Sequence, residues 1–179
     1  MNPTRMKKIL AISGSTRKNS SNFRLLKKIA ALSTEIFEVT IFEKLDQLPH
    51  FNPDLEAPAE IIELRNQIEA ADGVIICTPE YVFSLPGSLK NAIEWCVSTT
   101  VFSNKSVGLI TASASGEKGH ESLQLIMSTL EATFDQETTL LIRGIKGKID
   151  AEGEITDPET FQKIRNFIKA FEKQTGPST

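Results

Sequence analysis

The sequence predicts an α/β fold with a parallel sheet covered on both faces. Three observations carry that expectation. Short runs such as Ile9–Ile12 and Val74–Cys77 are apolar at every position, as strands buried between two layers are. Segments with apolar residues at helical spacing separate these runs, and alternation of the two implies parallel strands joined by helices. A length of 179 residues suits one domain. Its 40 % apolar and 24 % charged residues exclude a disordered or fibrous chain.

The elements follow in order. Lys8–Ser13 reads as the first strand, ending at Ser13-Gly14-Ser15. Asn22–Leu32 reads as a helix with Leu25, Leu26, Ile29 and Leu32 on one face. Phe37–Phe42, β-branched and aromatic, is the second strand. Glu43–Pro58 holds Pro49, Pro53 and Pro58 without a clear period, so it is a long loop, a class more often functional than most. Pro58 suits a helix start, and Ile61, Leu64, Ile68 and Ala71 share that helix's apolar face. Gly73–Thr78 is the third strand. Pro86–Val97 is a helix with Leu89, Ala92, Ile93 and Cys96 inward. Ser106–Ser113 is the fourth strand. Leu123, Ile126, Met127, Leu130 and Phe134 mark another helix, and Thr138–Arg143 the fifth strand. Asp157 and Pro158 make an N-cap and N1 pair for a last helix facing inward through Phe161, Ile164, Phe167, Ile168 and Phe171. Gln174–Thr179 reads as a frayed tail. Right-handed crossovers leave few topologies, and five strands suit the order 2-1-3-4-5 of a flavodoxin-like three-layer sandwich. With no linker visible, residues 1–179 read as one domain with an ordered core of about 7–173.

Composition narrows the partners. The net charge is −3, from 20 basic and 23 acidic residues with no long basic run, which argues against nucleic acid. No apolar stretch approaches the ~20 residues of a membrane helix. The start, Met1–Lys8, is short and basic, and Ile9–Ile12 is too brief for a signal-peptide apolar region. Cys77 and Cys96 cannot make a disulfide framework, so the expected location is the cytoplasm. Both cysteines read as core. His50 and His120 are far apart in sequence and read as loop residues rather than a metal pair.

In open α/β sheets ligands bind beyond the carboxyl ends of the strands, where strand order switches. That points to the loops after strands one, three and four. The first runs Ser13–Asn22. Gly14 permits a tight turn, and free N–H groups at the helix start favour an anion. Ser15, Ser20 and Asn22 could add hydrogen bonds, and Arg17 a charge-assisted one. The loop is neither a Walker A nor a Gly-x-Gly-x-x-Gly sequence, which disfavours the common ATP and dinucleotide loops. A polar turn with serine N-caps explains it equally well. The second loop and its helix, Thr78–Trp95, contain the only Tyr and the only Trp, against ten Phe in the chain. Pro79 and Pro86 stiffen it, and Tyr81, Val82 and Phe83 offer apolar area for a planar ring. Trp95 reads better as helix packing, while a solvated carboxylate is as good a reading of Glu80 as a functional one. The third loop, Thr111–His120, has small residues that let a ligand approach the backbone, and reads equally as a flexible connection.

Pro79-Glu80-Tyr81 followed by Ser84-x-Pro86-Gly87-x-Leu89-Lys90-Asn91-Ala92-Ile93-Glu94-Trp95 is a long and specific pattern. With Gly14-Ser15-Thr16-Arg17, Ser20 and Asn22, it resembles the NAD(P)H-dependent FMN reductases of flavodoxin-like fold, which include azo-, quinone- and chromate-reducing members. The resemblance spans Lys8 to about Phe171. It implies that Ser15, Arg17, Ser20 and Asn22, with Ser21 beside them, would hold the FMN phosphate. Pro79, Glu80, Tyr81 and Ser84 would line the flavin ring and ribityl chain, and Ser113, Ala114, Ser115 and Gly116 would close the other side. Val82 stands where the family often has Asn, and the third loop is poorer in glycine. NADPH or NADH would reduce the flavin, and a small acceptor such as a quinone, azo compound, metal oxyanion or free flavin would reoxidise it. No protein acid, base or nucleophile is then required. The alternative is a flavodoxin-like electron carrier without NAD(P)H turnover. Such carriers are typically very acidic, unlike this chain. A response-regulator-like switch would need an acidic cluster after the first strand, where Ser13-Gly14-Ser15 stands. The family forms homodimers or homotetramers, with Trp95, Phe83 and the helix from Pro86 as candidate contacts.

Overall fold

The computed structural model describes residues 5–176. Strands β1 (Lys7–Ser13), β2 (Phe37–Phe42), β3 (Gly73–Thr78), β4 (Ser106–Ser113) and β5 (Thr139–Arg143) form one sheet in the order β2-β1-β3-β4-β5. Every pairing is parallel. This is the expected flavodoxin-like sandwich. Helices α2 (Ala59–Ala70), α3 (Gly87–Glu94) and α4 (Glu117–Thr129) bury Ile61, Leu89 and Leu123 with Leu10, Ile12, Val74 and Ile76 on one face. Helices α1 (Ser21–Leu32) and α5 (Pro158–Thr175) bury Leu25 and Ile164 with Ile9, Ala11, Ile75 and Cys77 on the other. Successive strand side chains point to opposite faces, so a strand with two cores must be apolar at every position.

The phenylalanines of α5 fix its distance from the sheet. A Cβ at Gly108 would lie 2.5 Å from Phe167, and one at Gly73 2.9 Å from Phe171. The two rings stack 6.1 Å apart, and Phe37 meets Phe171 edge-on at 5.8 Å.

Capping sets the boundaries. Ser20 Oγ accepts from the Phe23 N–H at 3.1 Å to start α1. Asp157 accepts from the Thr160 N–H at 2.9 Å to start α5, with Pro158 at its first position. Pro58 stands one place earlier than expected, at the N-cap of α2. The Lys105 ammonium donates to the Ala71 carbonyl at 2.6 Å, closing the other end of α2. Helix α3 ends at Glu94 rather than Val97, and Arg65 of α2 donates to the Trp95 carbonyl just beyond it. Helix α4 begins at Glu117, so Glu117–His120 are helical rather than loop, and Phe134 lies beyond its end. Of the expected frayed tail, Gln174 and Thr175 are still in α5. The Gln174 amide donates to the Val107 and Thr133 carbonyls at 3.1 Å each, and its oxygen accepts from the Thr138 hydroxyl at 2.8 Å. Pro177–Thr179, and Met1–Thr4 of the basic start, lie outside the described residues.

The proline-rich loop is held by α3. The Pro49 carbonyl accepts from Trp95 Nε1 at 2.8 Å and Asn91 Nδ2 at 2.9 Å, while Asn91 Oδ1 accepts from the Phe51 N–H at 2.7 Å. Phe51 meets the indole edge-on at 5.1 Å. Trp95 is thus a latch on that loop. At 2 % exposure it is a packing residue and does not present a subunit contact.

Candidate functional site

A cleft of about 660 Å³ opens at the carboxyl edge of the sheet, within the ~300–1,000 Å³ of small-ligand sites. It lies where the order switches between β1 and β3. Of the residues singled out from the sequence, Ser15, Arg17, Ser20, Ser21, Asn22, Pro79, Glu80, Tyr81, Ser113 and Ala114 line it. Ser84, Ser115 and Gly116 do not. Asn19, Arg24, Ala112 and Gly144–Lys146 complete the wall.

Gly14 brings the first two loops together. Its N–H donates to the Cys77 carbonyl at 2.8 Å, and a Cβ there would sit 2.3 Å from Thr78 Oγ1. The demand on Gly14 is therefore close approach, not a left-handed backbone.

Behind the cleft, Asn22 Oδ1 accepts from the Cys77 thiol at 3.2 Å, and Nδ2 donates to the Ala112 carbonyl at 3.1 Å. The amide thus ties α1 to β3 and β4, leaving the backbone N–H of Asn22 for a ligand. Burial pushes the Cys77 thiol far up, so it stays protonated and can donate. Ser20 Oγ is committed to its cap. Ser15 Oγ accepts from the Arg17 N–H at 3.4 Å, within the loop itself.

The electrostatics favour an anion. The N–H groups of Ser21 and Asn22 open α1 and have no intrahelical partner. Arg17 is exposed and pairs with no carboxylate among the described residues. Arg24 reaches back one turn and donates from Nη1 to the Asn19 carbonyl at 3.0 Å, while its buried Nε has no partner. Lys146 adds a third cation. These donors fit a phosphate ester at the helix start. Sequence reasoning missed Arg24, which its four-residue spacing from Ser20 could have flagged, and Gly144–Lys146, which the strand-end rule would have reached if applied to the fifth strand.

The one carboxylate in the cleft wall is already committed. Glu80 Oε2 accepts from the Gly119 N–H at 2.7 Å. Helix α4 has Gly116 as its N-cap, in a left-handed turn with φ 101° and no side chain to cap with. Glu80 supplies the missing cap from another loop and favours the positive helix end. Its Oε2 is thus committed to the start of α4. Glu80→Ala is expected to cost about 0.5–2 kcal/mol, read by urea unfolding, with Glu80→Gln losing less. Equal unfolding of all three proteins would remove the cap.

Beside the cleft the Tyr81 N–H donates to the Ser84 carbonyl at 2.9 Å, and the Ser84 N–H to the Tyr81 carbonyl at 3.0 Å. The two residues between have φ of 50° and 57° and are 94 % and 77 % exposed. This is a left-handed two-residue turn, usually made by Asn-Gly, built from Val82 and Phe83. A β-branched residue there is strained by about 1–2 kcal/mol. Val82→Asn is therefore expected to stabilise the fold by about 1 kcal/mol. An unchanged or lower melting temperature would count against the strain.

His120 Nδ1 lies 3.0 Å from Thr111 Oγ1, and burial holds its pKa below the usual value, so the ring is neutral at pH 7. Burial pushes Cys96 up to about 11. Among the described residues no three His, Cys, Asp or Glu could hold a metal ion.

The sequence profile described as NADPH-dependent FMN reductase matches residues 7–144. The chain belongs to that family. It is therefore an oxidoreductase using FMN and NAD(P)H, and the rival reading as a bare electron carrier is not favoured. This FMN reductase is 30 % identical over 173 residues to a quinone reductase of Escherichia coli K12, covering 91 % of this chain and 92 % of the relative. It is 30 % identical over 176 residues to an NAD(P)H:quinone oxidoreductase of Solanum tuberosum, covering 92 % and 91 %. Its fold matches FerB, a flavoenzyme NAD(P)H:(acceptor) oxidoreductase of Paracoccus denitrificans, with TM-score 0.78, 26 % identity, and 95 % and 97 % coverage. No described helix is long and apolar enough to cross a membrane.

Proposed function

We propose that this reductase holds FMN in the cleft at the carboxyl edge of the sheet and reduces small quinones with NAD(P)H. The observation that carries the cofactor's placement is the set of unpaired donors around the start of α1, with a buried Arg24 Nε among them. Quinone as acceptor rests on the names of the relatives. Azo compounds, metal oxyanions and free flavin are further acceptors to assay.

The geometry supports a division of labour. The Ser21 and Asn22 N–H groups, Arg17 and Arg24 bind the phosphate. Pro79, Glu80 and Tyr81 present backbone and an aromatic edge on one side, and Ser113 and Ala114 on the other. Glu80 ties its own loop to the start of α4 through the Gly119 N–H. Bound FMN supplies the hydride and electron chemistry. The protein moves no proton at a named side chain. Steady-state oxidation of NADPH and NADH, with and without a benzoquinone, tests the proposal. Quinone-stimulated oxidation is expected, and flavin-loaded protein that oxidises neither nucleotide would refute it.

We also infer a cytoplasmic homodimer or homotetramer. Exposed Phe83 and Val82, on a strained turn closed by two backbone hydrogen bonds, support an apolar subunit contact. Light scattering giving only a 19.8 kDa species would reject it.

A further inference from the structure

Cys77 lies one residue before the end of β3, and its side chain is fully buried. It touches both ends of the loop between β1 and α1. At one end its carbonyl accepts from the Gly14 N–H at 2.8 Å. At the other its thiol donates to Asn22 Oδ1 at 3.2 Å. Between these two ties run Ser15, Arg17, Ser20 and Ser21, all in the cleft wall. The second tie continues, as Asn22 Nδ2 donates to the Ala112 carbonyl at 3.1 Å. One thiol and one amide thus brace the start of α1 against β3 and β4. Nothing in the placement of FMN uses the sulfur.

The proton on that sulfur decides how the amide is held. The Ala112 carbonyl can only accept, so it must meet Nδ2, and Oδ1 is left facing the sulfur. Oδ1 can also only accept, so it needs the S–H. Burial keeps that proton in place. A buried acceptor stripped of its donor is costly. Turning the amide would set Oδ1 against the Ala112 carbonyl, so the relief left is a shift of the helix start. Such a shift displaces the Ser21 and Asn22 N–H groups, which serve an anion best when they are in place before it arrives.

We propose that the Cys77 thiol is a positioning residue for the phosphate end of FMN, acting through the Asn22 amide on the start of α1. This rests on the placement of FMN in the cleft. The effect is confined to ligands that carry the phosphate. Riboflavin has no group for the α1 N–H pair and is indifferent to their position.

The test compares FMN with riboflavin by fluorescence titration of the parent protein and three single variants. Cys77→Val and Cys77→Ala remove the donor, one with more bulk than the thiol and one with less. A packing fault in either is therefore exposed by the other, and melting curves show which variants are folded. Cys77→Ser keeps a donor. In the valine and alanine variants the Kd of FMN is expected to rise about tenfold, with that of riboflavin changed less than about twofold. The serine variant should hold FMN within about threefold of the parent. Equal loss for FMN and riboflavin would mark a packing role and overturn the proposal. So would parent-like FMN affinity without the donor, or a serine variant as weak as the alanine one. Each of these failures, in a parent that binds FMN, leaves the cofactor's placement standing. A parent protein that takes up no FMN would refute that placement, and the positioning role with it.

Discussion

Phe171→Ala is expected to destabilise the fold by about 3–5 kcal/mol. The ring is fully buried, lies against Phe37 and Phe167, and fills the space that Gly73 and Gly108 leave empty. Neither glycine has a side chain to move into the cavity, so the site cannot collapse cheaply. For a chain of this length each kcal/mol lowers the melting point by roughly 2–4 °C. Phe161→Ala, nearly three turns earlier in α5 on a partly exposed position, should cost far less. Urea unfolding of both variants checks the contrast, and a loss near 1 kcal/mol at Phe171 would contradict this packing.

Arg17→Ala is expected to weaken FMN binding by about 1.5–3 kcal/mol, roughly ten- to a hundredfold. Folding stability should stay within about 0.5 kcal/mol, because Arg17 is exposed and pairs with no carboxylate among the described residues. Arg24 should differ. It holds the Asn19 carbonyl at 3.0 Å, so Arg24→Ala is expected to lower flavin affinity and stability together. Fluorescence titration of FMN, set beside a melting curve, separates the two arginines. Unchanged affinity in Arg17→Ala would remove that residue from the site.

The strands were legible because burial on two faces leaves a local mark. Gly73–Thr78 is apolar throughout except for a terminal Gly and Thr, and its limits matched. The cap Asp157 was legible because it acts within three residues, while the serine cap of α1 was legible only as an alternative to phosphate binding by Ser20. What the sequence hid is long-range. Asn22 stood where a phosphate ligand would stand, but its amide is engaged by Cys77 and Ala112, 55 and 90 residues away. Glu80 looked like a loop carboxylate because the helix end it caps starts 37 residues later, at Glu117 (117 − 80). The start of α4 was missed with it. Gly116 and the small residues before it resemble a loop, and the cap that makes a helix there comes from elsewhere. Trp95 illustrates the opposite case, as an indole on an apolar helix face was read as packing and is packing, with the Pro49 carbonyl as its partner.

The most direct measurement is a visible-light titration of the purified protein with FMN, followed by NADPH under nitrogen. A saturable flavin spectrum at one FMN per chain is expected, bleached on adding NADPH and restored by a quinone. A protein that binds no FMN and oxidises neither NADPH nor NADH would contradict the assignment of the cleft.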